Sequence, residues 1–135
     1  MITIEQLKEI QQRAEKLKQY LAIDEKRVQL EEEELRTQDP GFWEDAKAAE
    51  VQMRKVKGIK AWIEGYEGVR SATEELQLAF DYCKEELVTE EEVDAAYAHA
   101  LHEVEALEMK NMLSHEEDQM PAVLKIVSGA GGTEA

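Results

Sequence analysis

The chain has 135 residues, room for one ordinary domain and a short extension. Lysine and arginine total 16 against 31 aspartates and glutamates, a formal net charge of −15, and a surface this acidic repels phosphate backbones and disfavours direct binding to DNA or RNA. One cysteine, Cys83, excludes an intramolecular disulfide framework, no stretch nears the roughly 18 apolar residues of a membrane span, and the first residues lack a secretory signal; the expectation is a soluble cytoplasmic protein that meets other proteins.

Charged residues make up 35% and aromatics 6%, which fits either disorder or long helices in mutual contact. Periodicity decides for helices. From Thr3 to Thr37, Leu7, Ile10, Ala14, Leu17, Leu21, Val28 and Leu35 form one apolar stripe at three-then-four spacing. The stripe falters at Leu21-Ala22-Ile23-Asp24, where Asp24 is the expected N-cap of a second piece.

Thr37-Gln38-Asp39-Pro40-Gly41-Phe42-Trp43 is the clearest turn. Pro40 cannot continue a helix, it pushes Asp39 out of the helical region, and Gly41 adds freedom. Phe42 and Trp43 are expected to fold back and plug the end of the helix pair.

A very long helix is expected from Trp43 to Glu86. Val56, Ile59, Ile63, Tyr66, Val69, Thr73, Leu76, Phe80, Cys83 and Leu87 keep a near-heptad repeat. Gly58, Gly65 and Gly68 mark places for bending or close helix contact. Thr89-Glu90-Glu91-Glu92 then reads as a capping box. It opens a helix to Leu113 with Val93, Tyr97, Leu101, Val104 and Leu107 on one face.

The turn positions set the expected registers. A hairpin closing near residue 40 puts Leu17 opposite Ile63 and Leu21 opposite Ile59. One closing near residue 88 puts Tyr97 opposite Phe80 and Val104 opposite Thr73. The fold class is therefore all-α, an elongated antiparallel bundle around one very long helix. It should be three helices deep only beside residues 64 to 77 and two deep at both tips.

Beyond Met112 the character changes. The expected division is a helical domain over 1–113, a polar linker over 114–121, and over 122–135 a strand with a glycine-rich loop. Ala122-Val123-Leu124-Lys125-Ile126-Val127 has strand composition without ladder partners, so the chain reads as severed at a domain edge.

Residues with possible chemistry give little. Gly129, Gly131 and Gly132 complete neither a dinucleotide fingerprint nor a P-loop. His99 and His102, with Glu103, share a helical face but lack a zinc-protease spacing. Cys83 sits on the apolar stripe and reads as core, and Glu31-Glu32-Glu33-Glu34 reads as a solvated helix surface. No catalytic, cofactor-binding or metal-ligating residue is assigned, and no cofactor is expected. The residues by themselves describe a helical interaction module.

Two motifs go further. Asp39-Pro40-Gly41-Phe42-Trp43-Glu44-Asp45 resembles a turn near the start of bacterial peptide chain release factors of the type-2 kind. Its family positions are Asp39, Pro40, Phe42, Trp43 and Asp45. Gly129-Ala130-Gly131-Gly132-Thr133-Glu134-Ala135 is similar to the loop opening their second domain, through Gly129, Gly131, Gly132, Thr133 and Glu134. The type-1 kind usually has aspartate where Thr133 stands and lacks the Phe-Trp turn.

The resemblance covers the chain and implies the N-terminal helical domain of a factor that reads UGA and UAA on the ribosome and promotes peptidyl-tRNA hydrolysis. The family's Ser-Pro-Phe and Gly-Gly-Gln motifs do not occur within these residues, so this stretch is expected to be inert in peptide release. The implied partners are the stalk base of the large ribosomal subunit and the GTPase that recycles release factors, with no DNA and no membrane. The isolated chain is expected to be monomeric, with weak self-association through the open strand edge. One departure concerns Ala22: genes of this kind often shift frame after a leucine codon followed by aspartate, and Ala22 follows Leu21 here. Two other readings compete, a free-standing acidic coiled-coil adaptor and a truncated nucleotide-binding enzyme whose sheet begins at Ala122.

Overall fold

The computed structural model describes residues 1–119. The expected strand at 122–127 and the glycine-rich loop at 129–135 lie outside the described residues. Within them the chain is all-α: α1 Ile4–Tyr20, α2 Ile23–Arg36, a 3-10 turn Phe42–Glu44, α3 Ala46–Lys84 and α4 Glu90–Gln119. α4 continues through Ser114–Gln119, where a linker was expected.

α1 begins with a reciprocal cap. The Gln6 N–H donates to Thr3 Oγ1 at 3.2 Å, and the Thr3 N–H donates to Gln6 Oε1 at 2.8 Å, which satisfies two donors that a helix start leaves orphaned. Leu7, Ile10, Ala14 and Leu17 are buried as one stripe.

The break falls within the expected stretch 21–24, with the N-cap at Ala22, two residues before the expected Asp24. Ala22 takes a left-handed conformation, φ 51 and ψ 52, and Asp24 lies in the first turn of α2 without capping it. A left-handed alanine costs about 1–2 kcal/mol. The kink carries Ile23 to full burial, worth about 2 kcal/mol, and Lys26 Nζ donates to the freed Leu21 carbonyl. Re-aimed this way, α2 turns Ile23 and Glu33 inward, while Val28 and Leu35 are exposed. The single stripe expected through Val28 and Leu35 is corrected accordingly.

α3 is the spine, packing against α1, α2 and α4. Its last turn is a Schellman-type stop: the Glu86 N–H donates to the Cys83 carbonyl, the Leu87 N–H to the Tyr82 carbonyl, and Glu86 has φ 61. Leu87 therefore lies past the helix and is 69% exposed, outside the stripe assigned to it. At the start of α4 the Thr89 hydroxyl accepts the Glu92 N–H at 3.1 Å.

Both registers differ from expectation. Gln11 meets Gln77 and Arg27 meets Glu67, where closure at residue 40 would put them beside Val69 and Met53. Leu107 lies against Gly65 and Glu103 against Gly68, where closure at residue 88 would put them beside Arg70 and Glu74. Neither connection is a point pivot. The first spreads over Thr37 to Asp45 and the second over Glu85 to Thr89, so each helix starts displaced along the axis.

One core joins Leu7, Ile10, Leu17 and Ile23 with Tyr66, Val69, Leu76 and Phe80 and with Val93, Ala100, Val104 and Leu107. The Met1 amino group pairs with Asp94 at 3.2 Å, and Arg13 pairs with Glu108 at 2.6 Å. α1 thus lies along α4 for most of its length. The end near residue 88 is three helices deep, against the expected two, and α2 with the first half of α3 forms a thinner arm.

Candidate functional site

The arm ends in the Asp-Pro-Gly-Phe-Trp turn, and each polar residue there has a structural task. Asp39 Oδ1 accepts the Gly41 N–H at 2.9 Å, and the Phe42 N–H donates to the Asp39 carbonyl at 2.9 Å, the side-chain turn that aspartate favours. Pro40 prevents α2 from continuing. Asp45 Oδ1 accepts the Lys47 and Ala48 N–H groups at 3.1 and 3.2 Å and so caps α3. Asp39, Pro40, Phe42, Trp43 and Asp45 lie on one local turn.

The aromatic pair does not plug the bundle. Phe42 is half-buried, but Trp43 is 62% exposed. The rings meet edge to face, with centroids 4.7 Å apart at 90°, a favoured aromatic geometry. The 3-10 turn Phe42–Glu44 runs straight into the Asp45 cap of α3, and this short local path leaves the second ring mostly in solvent.

Next to the turn lies a group that sequence reasoning missed. Within the run read as solvated surface, Glu31 and Glu32 are exposed, but Glu33 is 5% exposed. Its carboxylate takes Lys55 Nζ at 2.7 Å, Gln52 Nε2 at 2.9 Å and Arg36 Nε at 3.3 Å. Lys60 pairs with Glu34 at 3.0 Å. The hydrogen bond from Lys55, then that from Gln52, holds the Glu33 carboxyl below the usual glutamate range. Glu33 is covered by the long side chains that bind it, not sunk in an apolar core. The available signal was the basic run Arg54, Lys55, Lys57 and Lys60 in an otherwise acidic chain.

The remaining candidates are dispersed. His99 and His102 are both exposed on α4, and Glu103 is turned toward Gly68. No group of three or more potential metal ligands occurs among the described residues. Cys83 is half-buried and packs against the core, the role its position on the stripe suggested. Gly129, Gly131, Gly132, Thr133 and Glu134 lie outside the described residues. No described helix is long and apolar enough to cross a membrane.

The arrangement offers a presented aromatic turn on a helical arm. The family model of the PCRF domain matches residues 25–135. The chain belongs to this family. It is 32% identical over 136 residues to a peptide chain release factor 2 of Pseudoalteromonas translucida, covering 98% of this chain and 37% of that protein. It is 36% identical over 135 residues to one from Nitratiruptor sp., covering 97% and 36%. With one from Mycolicibacterium smegmatis the identity is 31% over 117 residues, covering 85% and 32%. The chain thus spans about a third of the length of the curated relatives it matches. No solved structure matches it. A free-standing adaptor does not account for this pattern, and neither does a nucleotide-binding enzyme.

Proposed function

We propose that these residues are the N-terminal helical domain of a type-2 peptide chain release factor. The whole factor reads UGA and UAA on the ribosome and promotes hydrolysis of peptidyl-tRNA, and this domain positions and docks it. The observation that carries the reading is the family match over residues 25–135, joined to an aromatic turn whose motif residues build one local structure. We assign the ribosome as partner, at the base of the large-subunit stalk, with a second contact to the GTPase that recycles release factors. Domain boundaries near residues 113 and 122, with the glycine-rich loop Gly129 to Glu134 opening the next domain, belong to the same proposal.

The reaction itself lies outside this stretch, since neither Gly-Gly-Gln nor Ser-Pro-Phe is present in it. Added to ribosomes programmed with UGA or UAA and carrying peptidyl-tRNA, the 135-residue chain should release no peptide above background. It should nevertheless sediment with large subunits. Release at a rate that depends on the stop codon would overturn the division of labour, and absence of co-sedimentation would overturn the docking role.

A further inference from the structure

The aromatic turn holds one exposed ring against a half-buried one. Trp43 is 62% exposed, and its indole N–H makes no hydrogen bond among the described residues. Two aspartate-anchored turns and the edge of the Phe42 ring nevertheless hold it in place. A tryptophan presented on a fixed turn already carries the conformational cost that a binding partner would otherwise impose, and tryptophan is the residue type most enriched where binding energy concentrates.

The charges of the same turn select the partner. Asp39, Glu44 and Asp45 flank the two rings in sequence and enter no ion pair among the described residues, while the nearby Arg36 is engaged with Glu33 and Lys47 is the nearest exposed cation. Three carboxylates without a cationic partner repel phosphate. Aromatic platforms that stack on nucleic-acid bases work alongside several lysines and arginines, whereas here a single exposed Lys47 stands against three carboxylates. A second copy of the chain, with a net charge of −15, would bring like charges together.

We propose that Trp43, supported by Phe42, is the anchor of a protein–protein contact. It inserts into an apolar pocket rimmed by lysine or arginine on a protein, and Asp39, Glu44 and Asp45 face that rim. The inference rests on the docking role proposed above and assigns it to the turn.

The test is sedimentation of the 135-residue chain with purified large ribosomal subunits, with deproteinised ribosomal RNA as competitor. Trp43→Ala should weaken binding by at least about tenfold while leaving the thermal midpoint near that of the parent, because the ring is largely exposed. Glu44→Lys should weaken binding most at low salt, where screening is least. Leu78→Ala, at an exposed position on α3, should change nothing. Unaltered binding by Trp43→Ala, with the parent still sedimenting, would overturn the anchor and leave the docking role standing. Tighter binding by Glu44→Lys, or Trp43-dependent displacement by the free RNA, would overturn the choice of a basic-rimmed protein. Failure of the parent to sediment would overturn both proposals.

Discussion

Glu33 shows how a residue's meaning depends on what reaches it. In sequence it is one of four consecutive glutamates; in the fold it joins α2 to α3 through Lys55 and Gln52. Its carboxyl is held below the usual range mainly by the Lys55 hydrogen bond, so the charged form is favoured in the folded state. The stability this confers is complete above the pKa of the unfolded chain and is lost as pH falls through the folded-state value. Glu67 adds in the same sense, chiefly through Arg70. Thermal melts from neutral to acid pH should show Glu33→Gln melting lower than the parent at neutrality, with the two converging below the ordinary glutamate range. A constant gap across that window would mean that the carboxylate charge is not what the site uses. Trp43 is the converse: a residue expected inside that the fold leaves mostly exposed.

At the scale of elements, the glycines of α3 separate helix cost from helix contact. A Cβ on Gly58 would meet nothing within 4 Å, whereas one on Gly65 would stand 3.1 Å from Leu107 Cδ1. Gly58→Ala should therefore gain the full helix propensity of alanine, about 1 kcal/mol. Gly65→Ala must displace a buried leucine of α4 and should gain clearly less, as equilibrium urea unfolding of the two variants would show. Equal gains would mean that α3 and α4 do not approach closely there. Periodicity revealed that these elements exist. It placed the parting of α1 and α2 between Leu21 and Asp24 but not its left-handed geometry at Ala22, because an alanine carries no mark of positive φ and the burial of Ile23 that offsets the strain is a tertiary contact.

The whole molecule is a spine with partners fitted along it. α3, at 39 residues and about 1.5 Å per residue, is near 58 Å long and is lined by α1, α2 and α4 in turn. Since those partners come from the same polypeptide, light scattering should report a mass near 15.4 kDa independent of concentration. An obligate dimer would mean that the long seam is closed between chains. The acidic balance, −15 overall, acts at this scale too, by discouraging self-association and nucleic-acid contact.

The sequence by itself determined the helices, the turn at Pro40 and the stop before Thr89, because hydrophobic period, proline and capping chemistry act over a few neighbouring residues, while the family followed from the resemblance of two motifs. Only the tertiary structure decided the two registers, the depth of the bundle at each end, the burial of Glu33 and the outward aim of Trp43. Those depend on how far one helix slides along another, and a sliding distance is set by side chains meeting across the seam, such as Leu107 on Gly65, not by residues adjacent in the chain.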